Sequence, residues 1–181
     1  RIQRMEEMIA GLLEYSRVGR VAIRSELVEC RQLLDDIVDL LDPPSDLRVE
    51  IEEPLPTLRT PRLRLQQVLL NLISNALKHY GNRSGQGGTI RIRCHDRAAL
   101  PFVEFEVSDD GQGIDPRYHE RVFGMFATLE SRDKVEGTGI GLALVRKIVE
   151  GLGGRITLES ALGQGSTFRF TWPRRPPLTE N

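Results

Sequence analysis

Two short runs of strict alternation, Ile90/Ile92/Cys94 and Val103/Phe105/Val107, stand on either side of Leu100-Pro101. A period of two puts all their apolar side chains on one face, so the pair is predicted to form a hairpin that needs cover on that face only. Two further alternating segments, Ile156/Leu158 and Phe168/Phe170/Trp172, are joined by a Gly-rich turn, and Val49 and Ile51 alternate with charges like a half-buried strand. Val21 and Ile23 suggest another short strand. The cover comes from three helical patterns. Leu33, Leu34, Ile37, Val38 and Leu41 mark one face and stop at Pro43-Pro44. Thr60-Pro61 reads as a cap with proline at the first helical position, followed by Leu63, Leu65, Val68, Leu69, Leu72, Ile73 and Ala76 up to about Tyr80-Gly81. The third helix runs from Ile140 to Glu150 and closes on Gly151. The predicted fold is α+β, a two-layer sandwich with a mixed, mostly antiparallel sheet covered by three helices and preceded by a short helix.

A chain of 181 residues holds one domain with room for a small appendage. With 39% apolar and 28% charged residues it carries enough apolar surface to fold, and a net charge of −1 gives no electrostatic case for nucleic acid. No apolar run approaches the roughly 18 residues of a membrane span, and Arg1-Ile-Gln-Arg4 does not begin a signal peptide. Cys30 and Cys94 are expected to be reduced thiols of a cytoplasmic protein, and no contact with a membrane is expected. Because Arg1 is not an initiator, the sequence is expected to be a piece of a longer chain. The divisions are 1–20, a helix; 21–173, the main domain; and 174–181, a disordered tail. In the first division Ile2, Met5, Ile9 and Leu12 recur at spacings of three and four, with Ser16 in register. This fits a seam against a partner helix or an amphipathic helix on its own domain.

Three motifs could carry chemistry. In Asn71-Leu-Ile-Ser-Asn75-Ala-Leu-Lys78, two asparagines and a lysine share one stripe of an apolar helix, where asparagine is unfavourable. An amide oxygen can ligate a hard cation, and the lysine one turn on can reach phosphate. In Asp109-Asp-Gly111-Gln-Gly113-Ile114, a carboxylate ends a buried strand, and two glycines let backbone approach a flat ligand. A carboxylate in a dry pocket selects an amine, because any other partner leaves the charge unpaired. Gly137-Thr138-Gly139-Ile140-Gly141-Leu142 runs into a helix, where free N–H groups suit phosphates. Each motif alone also fits a plain turn or solvated face. Eleven of the 17 glycines follow residue 110, which concentrates backbone freedom around the last two motifs. P-loop and dinucleotide fingerprints are absent from the sequence, and His119-Glu120 does not continue into a zinc H-E-x-x-H.

Together, and in this order, the motifs resemble the ATP-binding catalytic domain of sensor histidine kinases in the GHKL superfamily. Asn71 to Lys78 is similar to the N box, and the two glycine motifs to the first and second glycine boxes. Phe123-Gly-Met-Phe126 resembles the F box, Gly163-Gln-Gly-Ser-Thr167-Phe the last strand's Gly-x-Gly-x-Thr, and Leu12 to Arg17 the end of the dimerisation helix. The resemblance implies the Bergerat-type fold. Division 1–20 becomes the end of the dimerisation and phosphotransfer helix, and 21–173 the catalytic domain. It implies ATP and Mg²⁺ as ligands. Asp109 would accept from the adenine amine, with Gly111, Gly113, Ile114 and Thr167 around it. Asn75 would hold Mg²⁺ beside Asn71, and Lys78 would contact phosphate. Gly137, Thr138, Gly139, Ile140, Gly141 and Leu142 would wrap the phosphates under a lid spanning 127–136. Phe126 and either His79 or Tyr80 would contact the nucleotide, His79 standing where the family has an aromatic and Tyr80 following it one place later. The lid region is most similar to phytochrome-type and PAS-linked kinases.

Where topoisomerase, chaperone and repair relatives carry a glutamate base, this chain has Asn71, and an amide cannot take a proton from water. The resemblance therefore favours transfer of the γ-phosphoryl to histidine in a two-component phosphorelay, with a homodimer through the dimerisation helix and a response regulator as partners. The acceptor box His-Glu/Asp-x-x-Pro/Arg is missing from these residues, and Asp110 replaces the usual asparagine. A non-catalytic nucleotide-binding interaction module is the alternative.

Overall fold

The computed structural model describes residues 2–20, 24–80, 87–97, 99–127 and 138–175. A five-stranded sheet forms from β2 (Arg48–Ile51), β4 (Thr89–His95), β5 (Phe102–Asp109), β7 (Ser166–Pro173) and β6 (Ile156–Ser160), in that spatial order. Only β2 with β4 is parallel. The other three pairings are antiparallel: β4–β5 and β6–β7 are joined by short connections, and β7 returns from β6 to lie between it and β5. The expected hairpin is β4 with β5, Ile92 opposite Val107 and Cys94 opposite Phe105.

Three helices cover one face: α2 (Cys30–Leu41), α3 (Arg62–Tyr80) and α4 (Gly141–Gly151). Leu34, Ile37, Leu69, Ile73, Val145 and Val149 pack against Ile90, Phe105, Phe168 and Phe170, all essentially inaccessible to water. Burial of each such side chain contributes about 1.5–3 kcal/mol. Phe105 and Phe170 stack at 5.2 Å, and Trp172 meets Phe170 edge-on at 6.0 Å.

The expected strand at Val21 and Ile23 lies outside the described residues. A strand does form at β1 (Glu26–Glu29), paired with an unexpected β3 (Thr57–Thr60) in a separate ribbon. β3 escapes a periodicity reading because it offers one apolar residue, Leu58. Thr60 therefore closes a strand. Its hydroxyl accepts the buried Trp172 indole N–H at 2.7 Å, which leaves a polar pair satisfied inside the core.

The face of the sheet opposite these helices carries rows of charge among the described residues. Arg91 pairs with Glu50 (3.0 Å), Arg93 with Glu52 (2.7 Å), and Arg169 with both Glu106 (2.8 Å) and Glu159 (2.6 Å).

The first helix, α1 (Ile2–Arg17), rests on the domain through Tyr15 and Glu14 and on Gly11. Lys147 of α4 donates to the Tyr15 carbonyl at 2.7 Å and lies 4.0 Å over its ring. Gln67 of α3 donates to Glu14 at 2.7 Å. Met5, Ile9 and Leu12 of the seam stay exposed, so α1 docks on its own domain by a different stripe. At the other end, Arg174 is tied to the β4–β5 connection by its N–H to Pro101 O (3.0 Å) and by an ion pair with Asp96. The rest of the expected tail, 176–181, lies outside the described residues.

Candidate functional site

A cavity of about 380 Å³ opens between α3, the end of β5, the segment after it and the start of α4. One wall is the stripe of α3 carrying Asn71, Ser74, Asn75 and Lys78. The stripe exists because apolar Leu65, Val68, Leu69 and Leu72 occupy the other face and leave these polar residues toward the cavity. Asn71 Nδ2 donates to the Gln67 carbonyl at 2.7 Å, one turn back, which fixes the orientation of its amide. Its Oδ1 faces the start of α4, where a Cβ at Gly141 would lie 2.7 Å from it.

The α4 terminus forms a second wall with Thr138, Gly139, Gly141 and Leu142. No side chain caps it, and the first bond inside the helix is Leu144 N–H to Ile140 O at 2.9 Å. The N–H groups of Gly141, Leu142 and Ala143 thus have no partner within the helix and form the positive end of its dipole. Gly139 has φ +68 and lies against the Phe126 backbone, a position closed to side chains.

Asp109, the last residue of β5, forms a third wall. Desolvation pushes its carboxyl from 3.8 up to about 6 against the opposing pull of the Gly111 and Ser166 N–H groups, while neighbouring Asp110 pushes the same way as burial. The Gly111 N–H donates to Asp109 Oδ1 at 2.9 Å. At neutral pH the group is an ionised acceptor in a poorly solvated pocket, able to bind one amine strongly. The glycines beside it are needed for close approach. Gly113 (φ +72) and Gly165 (φ +75) press on the carbonyls of Ala161 and Asp109, and a Cβ at either would overlap that oxygen. Ser160 binds the layers together, accepting from Ile114 N–H and donating to Gly165 O, both at 2.7 Å.

Of the residues singled out in the sequence, Asn71, Asn75, Lys78, His79, Asp109, Gly113, Ile114, Thr138, Gly139, Gly141 and Leu142 line the cavity. Others stand off it. Gly111 backs the carboxylate, its missing Cβ 2.8 Å from Asp109 Oδ1. The Tyr80 hydroxyl donates to Asp46 at 3.0 Å, so His79 rather than Tyr80 lines the wall. Ile140 is buried and packs on Gly11 of α1. Phe126 is exposed and backs Gly139 through its main chain. Asp110 accepts the Thr89 N–H at 3.0 Å and does not line the cavity. Gly137 and the lid residues from 128 onward lie outside the described residues.

Thr167 requires a correction. The lining residue opposite Asp109 on β7 is Ser166. Alternation is the reason: Ser166 shares the parity of buried Phe168 and Phe170, while Thr167 shares that of outward Arg169. Sequence reading also missed Ser74, Gln112, Asp115, Tyr118, Val122 and Leu162, while Ala127, expected as the start of the lid, lines the cavity. Ser74 was findable, three residues from Asn71 on the same stripe. Asp115 is held down to about 2, first by the Arg117 guanidinium and then by the Arg117 N–H, so it is a fixed anion at the rim.

For a divalent cation the polar stripe of α3 offers the amide oxygens of Asn71 and Asn75. Among the described residues there is no group of three His, Cys, Asp or Glu that could hold a metal. That donor set suits Mg²⁺, which keeps waters and shares phosphate oxygens instead of taking an all-protein cage. Cys30 and Cys94 are buried, and desolvation pushes both thiols up to about 12, so neither is a nucleophile.

The arrangement has counterparts. Residues 60–176 match the family described as histidine kinase-, DNA gyrase B-, and HSP90-like ATPase. Cyanobacterial phytochrome A of Nostoc is 39% identical over 177 residues, covering 93% of this chain and 22% of the phytochrome. The adaptive-response sensory kinase SasA of a Synechococcus is 32% identical over 179 residues, covering 95% of this chain and 46% of that kinase. The chain thus spans between a fifth and a half of the length of these relatives. Among solved structures, full-length ShkA in complex with AMPPNP superposes with a TM-score of 0.76 at 27% identity, covering 92% of this chain and 35% of ShkA. The histidine kinase ThkA in complex with the response regulator protein TrrA gives 0.74 at 26%, covering 98% of this chain and 49% of that one. None of the described helices is long and apolar enough to cross a membrane. The chain belongs to the histidine kinase-, DNA gyrase B-, and HSP90-like ATPase family, as a catalytic ATP-binding domain of the sensor histidine kinase kind.

Proposed function

We propose that this domain binds Mg-ATP in the cavity and donates the γ-phosphoryl group to a histidine on a dimerisation helix, as the catalytic part of a cytoplasmic two-component sensor kinase. The observation that carries this reading is the meeting of desolvated Asp109 with the Asn71, Asn75 and Lys78 stripe and the uncapped start of α4 around one cavity. Asp109 accepts from the adenine amine, whereas guanine would present a carbonyl to the same carboxylate and be rejected. Lys78 and the N–H groups of Gly141 and Leu142 hold phosphate oxygens. Asn75, with Asn71 beside it, holds Mg²⁺, which offsets the charge on the transferred group. Asn71 supplies no general base, so water is not activated and the nucleophile comes from the acceptor histidine. The exposed Met5, Ile9 and Leu12 row on α1 suits the partner helix of a homodimer. By analogy with the ThkA complex, a response regulator takes the phosphoryl group onward. Calorimetric titration with AMPPNP and Mg²⁺, and with the guanine counterpart, tests the reading. Binding of the adenine nucleotide alone is expected, and binding of neither or of both would overturn it.

A further inference from the structure

We propose that Leu162, in the β6–β7 turn, is the outer wall of the base-binding part of the cavity and sets how long the purine stays. The proposal rests on the adenine-nucleotide reading above and adds to it a residue outside all the motifs. Leu162 lines the cavity yet is 67% exposed, whereas the other aliphatic side chains of the lining, Ile114, Val122 and Leu142, are buried or half-buried. An isolated exposed leucine is ordinary on a protein surface. This one is held in place by its turn. On one side the Gly163 N–H donates to Gln112 O at 2.6 Å, and on the other the Gly113 backbone packs against the Ala161 carbonyl. Gln164 N–H donates to Ala161 O at 3.0 Å and closes the turn itself. The turn is therefore tied to the Asp109-to-Gly113 backbone, and Leu162 is presented at a fixed place on the wall of the cavity that Asp109 also lines. A preorganised apolar side chain at a cavity mouth gains burial only when a flat apolar surface arrives, and the face of a purine supplies that surface.

The test titrates the chain with ADP and with AMPPNP, each with Mg²⁺, and compares Leu162→Ala and Leu162→Met. Leu162→Ala is expected to weaken both nucleotides by the same factor, about fifteenfold to sixtyfold for two to three buried carbons. The loss should fall in the dissociation rate, and Leu162→Met should restore it. The melting temperature without nucleotide should not move, since an exposed side chain contributes little to the fold. Unchanged affinity in Leu162→Ala, or a loss confined to AMPPNP, would overturn the proposal. The second result would mean that Leu162 acts through the phosphate end. Failure of the unsubstituted chain to bind either nucleotide would instead sink the nucleotide reading, so the two failures are distinguishable.

Discussion

Replacing Asp109 by asparagine is expected to make the domain more stable while disabling it. In the folded chain the carboxyl takes up a proton near pH 6 instead of near its ordinary 3.8, chiefly because it is desolvated. At about 1.4 kcal/mol per pH unit, that distance is about 3 kcal/mol of stability given up at neutral pH to keep a charge in the pocket. A raised carboxyl pKa means that the native state binds more protons than the unfolded one between about pH 4 and 6. Stability therefore falls as pH rises through this window and is flat above it. Asparagine removes the penalty, but its single oxygen serves the Gly111 and Ser166 N–H groups less well than two, so the expected net gain at pH 7.5 is about 1–2 kcal/mol. Between pH 7.5 and pH 5 the native carboxyl becomes mostly protonated and the unsubstituted chain regains about 1.4 kcal/mol, so the gain should nearly vanish at pH 5. Urea denaturation of both proteins at the two pH values measures this directly. Calorimetry on the same samples should show nucleotide affinity at least about tenfold weaker in Asp109→Asn, the charge-assisted bond to the base being lost. A variant that is less stable at pH 7.5, with a difference unchanged at pH 5, would refute the argument that the pocket desolvates this carboxylate.

Three other outcomes are expected. Ser166→Ala should weaken nucleotide binding while Thr167→Val leaves it unchanged, which a parallel titration reads and which follows from strand parity alone. Asn75→Ala should remove most of the gain in affinity that Mg²⁺ confers, with little effect on binding measured in excess chelator; equal losses in both would place the cation elsewhere. Gly113→Ala should cost more than about 2 kcal/mol in a thermal or urea melt, since it combines a positive φ with overlap on the Ala161 carbonyl.

The sequence made the layers legible because their signals are local and physical. Alternation at Ile90 to Cys94 and Val103 to Val107 predicts the central hairpin, and the helical row from Leu65 to Ala76 predicts the cover. The same rows show where the polar stripe of α3 must point. The β1–β3 ribbon was not legible, because four-residue strands carry too few side chains to display a period and their stability comes from pairing across distant sequence. Thr167 was misplaced for a related reason: a motif names residue types, while the face a residue takes depends on register with Phe168 and Phe170. Asp115, Tyr118 and Leu162 reach the cavity through short 3-10 turns and a hairpin turn, which have no hydrophobic period at all.

The charged face of the sheet has a consequence for assembly. Across it the strands carry acid on β2, base on β4, acid on β5, base on β7 and acid on β6, and the nearly buried Glu106 lies between Arg93 and Arg169. Apolar burial on the other side is non-directional and discriminates less sharply between neighbouring strands. On the charged side, exchanging two neighbours sets arginine against arginine or glutamate against glutamate. The face turned to water thus acts as an address label for strand order, and the core, which supplies most of the stability, is left free of that task.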